Sequence, residues 1–246
     1  MRFDYDSADW TFVSRILEEN SRRLSRTHHG TSDTGTSALK RPLLLAGQEL
    51  QERARANERS AHQFLFDSRK TEVRCAEDVS SLLFRIADLT NEGLLPEGRF
   101  RTWSIEANQR SLDGQRVVGG IAAKTPPAEI PGAIERFCSE LSSRWDELAK
   151  DPVPLAAWAE WELNGGKLHP FYDGCGRISR SFAAGLLVRG SEMLPLFDTP
   201  AAYFKAGDAG TFVEYYRERI EAAQDWVRCE IGLDKRKTGT YSQGSY

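Results

Sequence analysis

The sequence has no uninterrupted apolar run near the roughly 20 residues a membrane-spanning helix needs, so no membrane partner is expected. It has no excess of basic charge. Lys and Arg number 33 against 36 Asp and Glu, a formal net charge of −3, and that balance argues against a nucleic-acid partner. Paired cysteines are missing too. Cys75, Cys138, Cys175 and Cys229 stand far apart with no CxxC pair, which implies neither a zinc site nor a disulfide framework and fits a reducing cytosol. The opening decapeptide MRFDYDSADW carries acids and no apolar h-region, so no secretory signal is expected and a cytoplasmic location is.

What is present is a chain of 246 residues, 40% hydrophobic, enough to bury a core. Apolar residues recur at helical spacing. Trp10, Val13, Ile16 and Leu17 predict a first helix, followed by a polar linker near 26–37 that holds His28 and His29. Residues 42–70 read as helical. Val79, Leu82, Leu83, Ile86 and Leu89 make a clear stripe. Ile134, Phe137, Cys138, Leu141, Trp145 and Leu148 make another, with Cys138 as core filler. A helix from Leu155 to Leu163 is stopped by Asn164-Gly165-Gly166. Thr211 and Glu214 are spaced as a capping box before a last helical face, Phe212 to Val227. One segment breaks the pattern. Trp103, Ile105, Val117, Val118 and Ile121 flank Asp113-Gly114, a favoured hairpin turn, so 103–123 predicts a β-hairpin in an otherwise all-α protein.

The chemistry concentrates in His169-Pro170-Phe171-Tyr172-Asp173-Gly174-Cys175-Gly176-Arg177-Ile178-Ser179-Arg180. Gly-Cys-Gly lets the backbone form an anion-binding nest at a helix start. Arg177 and Arg180, about one turn apart, add forked donors suited to phosphate oxygens. Asp173 stands just before the nest, where it could hold a magnesium ion bridging those phosphates. His169 could take a proton from an incoming hydroxyl. A base, a metal ligand and a polyphosphate cradle are the parts needed for in-line attack on a nucleotide phosphate.

This segment resembles the Fic family motif HPFx(D/E)GNGRxxR and departs from it at one specified position, where Cys175 stands for Asn. The resemblance extends more weakly over about 76–230. Pro96-Glu97-Gly98-Arg99-Phe100-Arg101 is similar to the family's Gly-x-x-Arg segment, and the hairpin ending at Pro126-Pro127 is similar to its target-docking flap. The resemblance implies an all-α, Fic-type helical bundle with an embedded β-hairpin flap over the active site. Residues 1–75 would then be an N-terminal helical extension, 76–230 the catalytic domain and 231–246 a polar tail. It implies transfer of AMP from ATP, with Mg2+, to a Ser, Thr or Tyr hydroxyl of a protein substrate. His169 would be the base, Asp173 the metal ligand, and Gly174, Cys175 and Gly176 the phosphate nest. Arg177 and Arg180 would be phosphate anchors, and Phe171 a buried pin for the loop.

Many members are restrained by a helix carrying (S/T)xxxE(G/N). The nearest match is Ser14-Arg15-Ile16-Leu17-Glu18-Glu19-Asn20, which makes Glu18 a candidate inhibitory residue acting on Arg180; the alternatives are an exposed helical acid and a separate inhibitory partner protein. Cys175 lies near a helix start and Arg177, and both favour a reactive thiolate. Transfer of another group (UMP, phosphate or phosphocholine) stays open, as does a degenerate domain that binds a nucleotide or a partner without turnover.

Overall fold

The computed structural model describes residues 4–5, 10–28, 47–94, 100–101, 125–166, 168–172, 174–198 and 208–238. The elements among them are helical: α1 (Trp10–His28), α2 (Gly47–Asp67), α3 (Ala76–Asn91), α4 (Ile130–Ser143), α5 (Pro152–Glu160), α6 (Cys175–Arg189) and α7 (Ala209–Thr238). The expected hairpin at 103–123 lies outside the described residues, as do Asp173 and His29.

The centre of the bundle is α5 against α6. Val153, Leu155, Ala156, Ala157 and Ala159 of α5 are all buried, which leaves this helix without a solvent face. Ile178, Phe182, Ala183, Leu186 and Leu187 give α6 its buried side. Helices α2 and α3 cover α6, α4 packs on α3, α1 lies on α2, and α7 closes over α5. Burial of each of the Val, Leu, Ile and Phe side chains among these stabilises by about 1.5–3 kcal/mol.

Several sequence expectations shift at element ends. The 134–148 stripe is two pieces: α4 stops at Ser143, and Trp145–Ala149 forms a separate 3-10 turn around Arg144, whose guanidinium grips the Glu147 carboxylate. Asp151, rather than a residue near Leu155, starts α5 by accepting from the Val153 N–H. Asn164-Gly165-Gly166 does not simply stop that helix; the chain widens into a π-helical turn over Trp161–Gly166. The capping box is also corrected. Asp208 caps α7, its carboxylate accepting from the Thr211 N–H and hydroxyl, so Thr211 lies inside the helix. The polar 26–37 linker begins later, since α1 runs to His28, and the expected polar tail is helical as far as Thr238. The 1–75 segment does not stand apart from the bundle: Val13, Ile16, Ala61 and Leu65 belong to the same core as α3 to α7.

Candidate active site

Gly174 begins the site. Its φ of +73° is a left-handed conformation that glycine adopts without steric penalty, and it turns the chain into α6. Its carbonyl accepts the first helical bond, from Ile178 N–H at 2.8 Å. The opening N–H groups of any α-helix have no acceptor within the helix and point along the axis, so Cys175, Gly176 and Arg177 form the start of an anion cradle.

The two glycines also clear space for the two arginines. A Cβ on Gly174 would stand 3.0 Å from Nη2 of Arg177 and 2.9 Å from Oδ1 of Asn91. A Cβ on Gly176 would stand 3.1 Å from Nη1 of Arg180 and 3.6 Å from Nδ2 of Asn164. The guanidinium groups thus lie over the backbone of the nest, where forked donors and the helix start converge. Asn91 and Asn164 read from the sequence only as helix-end residues, not as site residues. Nothing in their spacing sets them apart from ordinary helix-end residues.

Cys175 is not the reactive thiol its position in the sequence suggests. It is 4% exposed. Its Sγ accepts from the Phe171 N–H at 3.3 Å and contacts the Phe171 carbonyl at 3.5 Å, so the side chain folds back as a clasp across the loop. Phe171 itself is 1% exposed and meets Phe100, which meets Phe84 of α3. That is the pin expected of it.

His169 is partly buried and has a φ of +39°, a region that residues with a Cβ rarely occupy. Its carbonyl accepts from Nε of Arg101 at 2.7 Å. Arg101 also donates to Leu168 O at 3.1 Å and to Thr125 O, and its N–H donates to Pro170 O at 3.0 Å. Phe100 and Phe171 face each other in an antiparallel bridge beside it.

On the other side of α6 lies a buried cluster. The Tyr216 hydroxyl donates to Glu160, which is 1% exposed. Burial pushes the Glu160 carboxyl up to about 7, against the opposing pull of Arg180 and the Tyr216 bond. His62 of α2 shares a hydrogen bond of 3.0 Å with Ser181, and burial holds its pKa below the ordinary value.

In this structure Glu18 pairs with Arg59 and not with Arg180. Its side chain is 55% exposed and pairs with Arg59 at 2.9 Å. The residues that α1 turns toward the cavity beside Arg180 are Leu17 and Asn20. Asn20 is locked there, its amide donating to Pro195 O and accepting from Phe197 N–H, both at 2.8 Å. The helical period explains the difference. Val13, Ile16 and Asn20 form the buried face, and Glu18 is rotated off it.

A helical bundle thus brings a glycine turn and two arginines together at one helix start, an arrangement whose donors suit phosphate oxygens. The family model of the Fic/DOC family matches residues 78–187, and over those residues the chain is similar to that family. Three solved structures share the fold. A Fic domain containing signaling protein from Bacteroides thetaiotaomicron aligns with a TM-score of 0.59 and 14% identity, over 89% of each chain. A Fic family protein from Desulfovibrio desulfuricans gives 0.54 and 18%, over 89% of this chain and 67% of that one. Fic-1 from C. elegans gives 0.51 and 17%, over 92% and 75%. No curated protein sequence matches the chain. No helix among the described residues is long and apolar enough to cross a membrane.

Proposed function

We propose that the protein transfers AMP from ATP to a Ser, Thr or Tyr hydroxyl of another protein. The observation that carries this reading is the placement of the Arg177 and Arg180 guanidiniums over Gly174 and Gly176 at the start of α6, directly after the His169 loop. In this reading the nest and the arginines hold the polyphosphate and orient its α-phosphorus. The target hydroxyl oxygen attacks that phosphorus, the bond to the β-phosphate oxygen breaks, and pyrophosphate leaves. His169 takes the hydroxyl proton. Among the described residues no group of three or more His, Cys, Asp and Glu gathers as a metal cage. Magnesium held mainly by substrate phosphates needs only one or two carboxylates, and Asp173 is the proposed one. The ion would supply neutralisation of phosphate charge.

The test is incubation of the protein with each labelled nucleoside triphosphate and a cell lysate, followed by mass spectrometry of labelled proteins. The expected result is an added AMP on a hydroxyl residue, absent with His169→Ala. Labelling from another donor in place of ATP would replace AMP by that group. A nucleotide that binds but labels nothing would make the domain a binding module.

A further inference from the structure

The proposed base sits in a backbone conformation that does not hold itself. At φ +39° the His169 backbone is in the left-handed region, which carries a steric cost for any residue with a Cβ. Such a conformation persists only where the surroundings determine it. Among the described residues, one side chain from a distant part of the chain reaches this stretch of backbone at successive carbonyls. Arg101 is 1% exposed. Its Nε reaches the His169 carbonyl at 2.7 Å, one Nη reaches the Leu168 carbonyl at 3.1 Å, and its own N–H reaches the Pro170 carbonyl at 3.0 Å. Three successive carbonyls, those of 168, 169 and 170, are therefore fixed by one residue. The same Nη group also takes the Thr125 carbonyl, which ties residues 101 and 125 to each other and to the loop.

We infer that Arg101 is the positioning residue for His169: it fixes the peptide planes on both sides of the histidine and so aims the imidazole at the reacting hydroxyl. The inference rests on the reading of His169 as the base. Guanidinium chemistry suits the task. A planar fork offers several donors in fixed directions, and its charge does not titrate in the working range, so the loop is held at any ordinary pH. A lysine ammonium would keep the charge but not the directions. Other fastenings act to either side of the histidine: the Leu168 N–H donates to the Glu162 carbonyl at 3.1 Å, and the Cys175 clasp and the Phe171 pin both act on Phe171, two residues past it. Among these fastenings Arg101 is the one that binds the histidine's own carbonyl.

The experiment compares Arg101→Met and Arg101→Lys with the parent in the full chain. Two readouts are used: imidazole resonances by NMR, with His169 assigned among the four histidines by its loss in His169→Ala, and transfer kinetics. Both variants are expected to keep the helical circular dichroism and to shift the His169 resonance. In Arg101→Met, kcat falls about 100-fold, as a misplacement near 1 Å would cause, while KM for the nucleotide stays within about twofold. Arg101→Lys recovers part of that loss. In the His169→Ala background, Arg101→Met lowers the residual rate no further, because the two residues act through one another. An unmoved His169 resonance with unchanged kcat in either folded variant overturns the inference. Failure of both variants to fold reduces Arg101 to a stability role and overturns it equally. If the parent transfers nothing, the proposed function fails, and the resonance comparison still decides whether Arg101 sets the histidine.

Discussion

Two polar clusters flank the start of α6, and they are built from different materials. On the loop side Arg101 binds main-chain carbonyls at Thr125, Leu168, His169 and Pro170. On the core side Arg180 is surrounded by titratable side chains: Glu160 beneath it, Tyr216 donating to Glu160, and His62 bonded to Ser181. A guanidinium that holds carbonyls gives the same geometry at every ordinary pH. A guanidinium beside a carboxyl whose pKa is near 7 does not, because its neighbour changes charge in the working range. The His169 loop is thus fixed by groups that cannot switch, and Arg180, the proposed phosphate anchor, is placed among groups that can.

The largest test of this contrast removes the reacting group itself. His169→Ala should lower transfer by about 100-fold or more, the usual contribution of a general base, with nucleotide binding nearly unchanged. Single-turnover transfer and equilibrium binding of labelled ATP measure the two quantities, and equal turnover would end the assignment.

Glu160→Gln probes the core side. In the folded chain the Glu160 carboxyl is raised from 4.5 to about 7. In the unfolded chain it ionises near 4.5. Between those values the unfolded state releases a proton that the folded state keeps, so stability falls as pH rises across that window. The full effect is about 3 kcal/mol at 1.36 kcal/mol per unit. His62, with its pKa lowered, acts in the opposite sense and removes stability as pH falls below its ordinary value. The difference between parent and Glu160→Gln isolates the carboxyl. The variant should gain stability relative to the parent between pH 5 and pH 8, read by thermal or urea unfolding. A pH-independent difference would place the ionisation elsewhere.

Gly174→Ala returns to the loop side. The new Cβ would meet Asn91 Oδ1 at 2.9 Å in a backbone with φ +73°. The left-handed conformation alone costs about 1–2 kcal/mol, so unfolding should occur at a correspondingly lower denaturant concentration and nucleotide affinity should drop. No loss of either would mean the turn has other freedom.

Cys175→Asn should change less. An amide donates and accepts more strongly than a thiol, so replacing the contacts to Phe171 should leave transfer intact or raise it by no more than about tenfold. A loss of about 100-fold would show a loop built around sulfur. The parent thiol, being buried, should resist alkylation in the folded chain whether or not ATP is present.

Glu18→Gln should change least of all. An exposed pair such as Glu18–Arg59 contributes about 0–1 kcal/mol, and transfer should stay at the parent rate. A marked rise in transfer would reinstate a brake on α1.

The motif loop was legible because its chemistry is local. A nest, two arginines a turn apart and a histidine five residues before the first glycine-to-helix turn depend on neighbours in sequence, and the left-handed Gly174 with the two guanidiniums follows that pattern. Stripes on α3 and α4 were legible for the same reason, since one buried face repeats every turn. Helix ends were less so. Asp208 competes as a cap with Thr211, and only the hydrogen bonds actually made distinguish them, whereas Asp151 before Pro152 was a helix-start signal that the apolar spacing alone passed over. The N-terminal helix shows where local reading fails. SRILEEN contains two acids and an asparagine in consecutive positions, and a rotation of 100° per residue decides which of them turns toward the cavity that Arg180 lines. The packing of α1 on α2 chose Asn20. Arg101 and Glu160 needed the tertiary structure for a different reason: their partners are 67 and 56 residues away at Leu168 and Tyr216, and no spacing rule links them. The sequence by itself determined the helical class, the nest and the residues able to hold phosphate, because those are properties of adjacent residues. Only the folded chain decided what fixes the histidine and what faces Arg180, because a buried charge takes its partners from whichever segments the core brings to it.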